Sequence, residues 1–141
     1  MRPALQDVSV GLARRRKWKL ACAAAALPFL AIPAQAFTAS FSWQGISPCQ
    51  TTSPAFVIRD APKATTNLRF VMRDQDAPGF RHGGSTIAYD GSGAIPQGAI
   101  SYIGPCPPAG QKHRYVWTIE AIDAAQHVLA RATAAGVYPP N

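Results

Sequence analysis

The sequence is poor in acid, in charge of either sign and in long apolar runs. Only seven of its 141 residues are Asp or Glu, charged residues make up 15% of the chain, and it holds three cysteines and three histidines. Those histidines and cysteines show no metal-ligand spacing such as His-x-x-x-His or Cys-x-x-Cys, so no metal and no cofactor is expected. No Gly-x-Ser-x-Gly occurs, which removes the nucleophile elbow of serine hydrolases. The most apolar run, residues 20–32, is broken by Pro28 and falls short of the roughly 20 residues that a permanent membrane span requires. Neither an internal repeat nor a low-complexity tract follows it.

What is present speaks first of export. Residues 14–19 read Arg-Arg-Arg-Lys-Trp-Lys, the apolar run follows, and Ala34-Gln35-Ala36 closes it with small residues at the positions a signal peptidase requires. The expected organisation is a signal peptide over 1–36 and a single domain over 37–141, periplasmic or secreted; an uncleaved N-terminal anchor is the alternative. Removing the leader changes the electrostatics. The whole chain carries +7, but residues 37–141 keep eight basic and six acidic side chains and no basic cluster, so nucleic acid is not an expected partner. Cys22 leaves with the signal. Cys49 and Cys106 remain as a pair in an oxidising compartment, where two cysteines in a small domain bridge; two free thiols are the other possibility.

After residue 36 the pattern is that of a β protein. Phe37 to Trp43, Ala55 to Arg59 and Leu68 to Met72 alternate or cluster as half-buried strands do, with shorter candidates at Ile87–Tyr89 and Ala99–Tyr102. The longest candidate is Tyr115 to Ile122. Short strands separated by Pro- and Gly-rich turns predict a sandwich or barrel. One helix is expected over 124–135, where alanine is dense, Val128, Leu129 and Ala132 fall at helical spacing and Gly136 supplies a stop.

Three stretches exceed what a plain β-domain needs. In Asp74-Gln75-Asp76-Ala77-Pro78, two carboxylates at i and i+2 share one side of an extended strand end, or else cap a turn. Gly104-Pro105-Cys106-Pro107-Pro108-Ala109-Gly110 makes a stiff loop that cannot join a central sheet, and serves either as a pocket rim or as a rigid connector. His113-Arg114-Tyr115 enters the long strand with His113 and Tyr115 on one face. His82 is a second imidazole candidate for the same place, whereas His127 is expected to face solvent.

The ordered set of these pieces resembles the phosphatidylethanolamine-binding protein family, in the style of its bacterial Raf-kinase-inhibitor-like branch, from about Ser53-Pro54 to Tyr138. The resemblance implies a mainly β, Greek-key sandwich with a small anion pocket at one end, and a binding protein rather than an enzyme. On that resemblance Asp74, Asp76 and Pro78 would line one wall and His82 another. Gly104 and Pro105 would form the rim, and His113 and Tyr115 the floor. The chain departs from the family at Gly83-Gly84-Ser85, where a bulky aromatic usually accompanies the histidine. It departs again at Gln75 between the aspartates, and in the short passage from Asp123 to His127, which would leave the pocket more open.

In such a site an aspartate orients an imidazole and favours its cationic form, which then donates to a phosphate or a phospholipid headgroup. Anion binding is therefore expected to weaken as pH rises. The alternative role is a protein-interaction module that inhibits a protease or another envelope enzyme. A hydrolase using the Asp and His residues is the third class.

Overall fold

The computed structural model describes residues 36–140, so the expected signal peptide lies, but for its last residue, outside the described residues. Seven strands follow in order: β1 (Thr38–Phe41), β2 (Phe56–Arg59), β3 (Asn67–Asp74), β4 (Thr86–Ala88), β5 (Ala94–Ile95), β6 (His113–Ile122) and β7 (Val128–Tyr138). They form two antiparallel sheets, one ordered β1-β2-β5 and the other β4-β3-β6-β7. The period-2 pattern decides which face turns inward. Leu68, Phe70 and Met72 of β3 and Tyr115, Trp117 and Ile119 of β6 are buried, while Arg69, Val71 and Arg73 point out.

Aromatic rings join the two sheets. Phe56 of β2 meets Phe70 at 5.0 Å and Trp117 at 5.3 Å between ring centroids. Trp43, just beyond β1, packs edge-on against Tyr115 and Tyr138. Such pairs contribute about 0.5–1.5 kcal/mol each beyond the area they bury, so this cluster is the centre of the sandwich. Outside, Glu120 of β6 is held by Arg69 of β3 and Arg131 of β7, its register partners on either side.

The structure corrects three readings of the sequence. No helix occurs over 124–135: residues 123–127 form a tight turn, with Gln126 at φ 68° and the His127 amide on Asp123 Oδ1, and β7 runs on from Val128. Ala132 and Ala134 alternate inward against exposed Arg131 and Thr133, and pairing with β6 along its whole length overrides the helical preference of alanine. Ala99–Tyr102 is not a strand. Its buried Ile100 and Tyr102 are held in an irregular segment whose amides go to the hydroxyls of Ser53 and Ser85. The short strand β5 was not expected at all, because two residues between glycines carry no periodicity.

Candidate functional site

At one end of the four-stranded sheet, the last residue of β3 lies opposite the beginning of β6. Asp74 pairs with Tyr115 in register, and His113 pairs with Tyr138. The chain leaves β3 through a turn that Asp74 itself builds: its Oδ1 accepts the amides of Asp76 at 2.8 Å and Ala77 at 3.1 Å. This turn is why the two aspartates do not stay on one side. Asp74 goes inward and is buried, while Asp76 is exposed and its Oδ2 accepts the Arg114 amide at 2.6 Å.

The free side of Asp74 faces two imidazoles. His113 Nδ1–H donates to Asp74 Oδ2 at 2.7 Å, and its Nε2 lies 3.3 Å from Gln111 Oε1. His82 Nδ1–H donates to the Ile103 carbonyl at 2.8 Å, which fixes that ring's orientation. Its Nε2 is buried, lies 3.9 Å from Asp74 Oδ2, and has no hydrogen-bond partner among the described residues. Behind them the Tyr115 ring, fully buried, meets His82 edge-on at 5.3 Å, and its hydroxyl has no partner of good geometry among the described residues.

These groups open onto a cavity of about 400 Å³ lined by Asp74, His82 and His113 together with Ala77, Phe80, Ile103 and Pro108. Cys49 and Cys106 complete its wall. They are bridged, with Cα atoms 4.6 Å apart, and the expected pairing is present. Gly104 lets that wall close: a Cβ there would stand 1.7 Å from the Gln50 carbonyl oxygen, so only glycine allows the loop to lie on the Cys49 segment. The Cys49 amide donates to the Pro105 carbonyl at 2.8 Å and ties the same two segments again.

The protonation of Asp74 follows from its neighbours. Burial pushes its carboxyl up, but the His113 hydrogen bond, the two turn amides and the histidine's charge outweigh that and hold it below its ordinary value of 3.8. Tyr115 moves upward, first through burial and then through the negative charge of Asp74. A depressed carboxyl contributes stability that is full above pH 3.8 and is lost as pH falls through the lowered value. Acid titration of the folded protein is expected to show this loss, and Asp74→Asn to flatten it; an unchanged acid limb in that variant would assign the loss to other carboxylates.

Of the residues singled out from the sequence, the structure therefore brings Asp74, His82 and His113 together in one lining and sets Tyr115 directly beneath. Gly104 and Pro105 are buried behind the rim rather than on it, and Asp76 and Pro78 lie outside the cavity lining. Phe80 and Ile103 were missed. Phe80 stands two residues before His82 and meets its ring at 4.6 Å, a same-face spacing that the sequence did offer as a signal.

Residues 80–139, which include His82, His113 and the loop between them, match the family model described as phosphatidylethanolamine-binding protein. That segment is similar to the phosphatidylethanolamine-binding protein family. The fold agrees over more of the chain. The phosphatidylethanolamine-binding protein homolog CT736 from Chlamydia trachomatis superposes with a TM-score of 0.55 at 20% identity, over 75% of this chain and 99% of that one. YbcL of E. coli, described as a member of the mammalian phosphatidylethanolamine-binding protein family, superposes at 0.53 and 18% identity, over 76% and 100%. No curated protein matches the chain significantly in sequence. Against the family's expected aromatic beside the histidine, this phosphatidylethanolamine-binding protein fold uses Phe80 from the N-terminal side. The glycines after His82 have their own reason: a Cβ on Gly84 would stand 1.9 Å from the Phe70 carbonyl oxygen, where the chain crosses close to β3.

Proposed function

We propose that the Asp74–His82–His113 cavity binds a small oxyanion, a phosphate or a phospholipid headgroup, without chemical turnover, in a protein exported by residues 1–36. The observation that carries this is the buried His82 Nε2 without a partner among the described residues, in a cavity whose other imidazole is oriented by a carboxylate. A buried polar atom left unpaired costs about 1–3 kcal/mol, so a ligand that supplies the partner recovers that cost. An oxyanion accepts from a protonated His82 Nε2 and displaces Gln111 from the His113 Nε2–H. Asp74 does not repel it strongly, because His113 and two amides already share its charge.

Isothermal titration of the full chain with inorganic phosphate tests this. Saturable binding is expected, reduced at least tenfold in His82→Ala and unchanged in His127→Ala, whose site is the exposed turn after β6. Wild type that takes up no phosphate would remove the reading. The second reading, inhibition of an envelope enzyme, draws support from Phe80 and Ile103, which stand about half exposed at the cavity.

A further inference from the structure

Three properties of the cavity narrow its ligand beyond an anion, provided the anion reading holds. The first is size. About 400 Å³ is room for roughly a dozen water-sized atoms, since a water's share of liquid volume is about 30 Å³. A phosphate group has five heavy atoms and leaves more than half of that space unfilled. The second is the nature of the remaining wall. Away from the two imidazoles and Asp74, the lining is the Ala77 methyl, the Phe80 ring, Ile103, Pro108 and the disulfide, none of which carries a side-chain donor or acceptor for a polar substituent. Phe80 is 52% and Ile103 50% exposed, so their apolar surface is available to a ligand and not already spent on the core.

The third property is the absence of a free carboxylate to pair with a cation. Asp74 is the one carboxylate of the lining; its Oδ1 is taken by two amides and its Oδ2 by His113. Asp76, the next carboxylate along the chain, lies outside the lining and holds the Arg114 amide. The other acids of the described residues are elsewhere: Glu120 is bound to Arg69 and Arg131, Asp123 to His127, and Asp60 and Asp90 line other cavities. A zwitterionic headgroup would place its ammonium against apolar side chains, where desolvating a charge without a partner is costly.

We infer that the site takes an amphiphilic oxyanion, a phosphate or carboxylate carrying an alkyl or aryl substituent and no cationic group. The oxyanion lies on His82 and His113, and the substituent lies along Phe80 and Ile103 toward the disulfide. Burial of each methylene raises affinity about fourfold.

The test is a titration series on the full chain with inorganic phosphate, phosphoethanolamine, n-butyl phosphate and phenyl phosphate. Butyl and phenyl phosphate are expected to bind at least tenfold more tightly than phosphate, and phosphoethanolamine no more tightly than phosphate. Phe80→Ser, a half-exposed position that leaves the core intact, is expected to collapse the ratio of phenyl phosphate to phosphate affinity. Phosphoethanolamine equal to or tighter than butyl phosphate would overturn the inference, as would four ligands of equal affinity; in both cases phosphate binds and the anion reading stands. If inorganic phosphate and its esters all fail to bind, the anion reading itself falls and takes this inference with it.

Discussion

Asp74→Ala is expected to lower the unfolding free energy by about 3–5 kcal/mol, the cost of removing one partner from a buried charged pair. The variant leaves His113 without its acceptor and the amides of Asp76 and Ala77 without theirs, and all three groups sit where β3 turns into the site. Asp74→Asn separates the two roles. Its side-chain oxygen still accepts the turn amides, so it should lose less stability while failing to hold a cationic His113 as well. Urea unfolding of the three proteins, read by the fluorescence of the buried tryptophans Trp43 and Trp117, measures the difference. A loss under 1 kcal/mol in Asp74→Ala would mean that water replaces the carboxylate without penalty and that the pair is incidental to the fold.

The second large effect belongs to the disulfide. The bridge joins cysteines 57 positions apart, and for a loop of that length the chain-entropy model gives a stabilisation of about 4 kcal/mol. Reduction, or Cys49→Ser with Cys106→Ser, is expected to lower the urea midpoint accordingly, and to weaken ligand binding because both cysteines line the cavity. Both are solvent-exposed, so a dithiol reductant reaches them in the folded protein. A midpoint that does not move on complete reduction would show that the Cys49 amide bond to Pro105 and the close approach at Gly104 suffice to hold the wall.

The strands that a reader of the sequence sees are those with a solvated face. In β3 and β6 every second residue is buried, and the alternation of Leu68, Phe70 and Met72 with Arg69, Val71 and Arg73 announces both the strand and its inner side. β7 was illegible for the opposite reason. Its inner positions are the small residues Ala130, Ala132, Ala134 and Gly136, because Trp43 and Phe41 lie close against it at Gly136, and small residues read as helix when the partner that demands them is distant in sequence. The site divides in the same way. Asp74, His82 and His113 were legible through their order along the chain, which resembles a known pattern; singly, a carboxylate before a proline reads as a turn cap and a lone histidine as a surface residue. Asp76 was misplaced because whether two carboxylates share a side depends on whether the strand continues, and Asp74 ends it by capping its own turn. Phe80 and Ile103 look like core residues in the sequence; only the fold shows them half exposed.

The cavity has no single address in the chain. Its walls come from Cys49, from residues 74–82 and from residues 103–113, and its floor residue Tyr115 is backed by Trp43 near the beginning of the domain. Residues 74–82 and 103–113 meet when β3 pairs with β6, Cys49 and Trp43 join them from far earlier in the chain, and contacts between segments so far apart form slowly because the chain entropy of closing them must be overcome first. On the proposed reading, ligand capture is thus a property of the finished domain. A bound molecule at a hundred times its dissociation constant would stabilise the whole sandwich by about 2.7 kcal/mol, and a shift in melting temperature would report occupancy and complete folding in one reading.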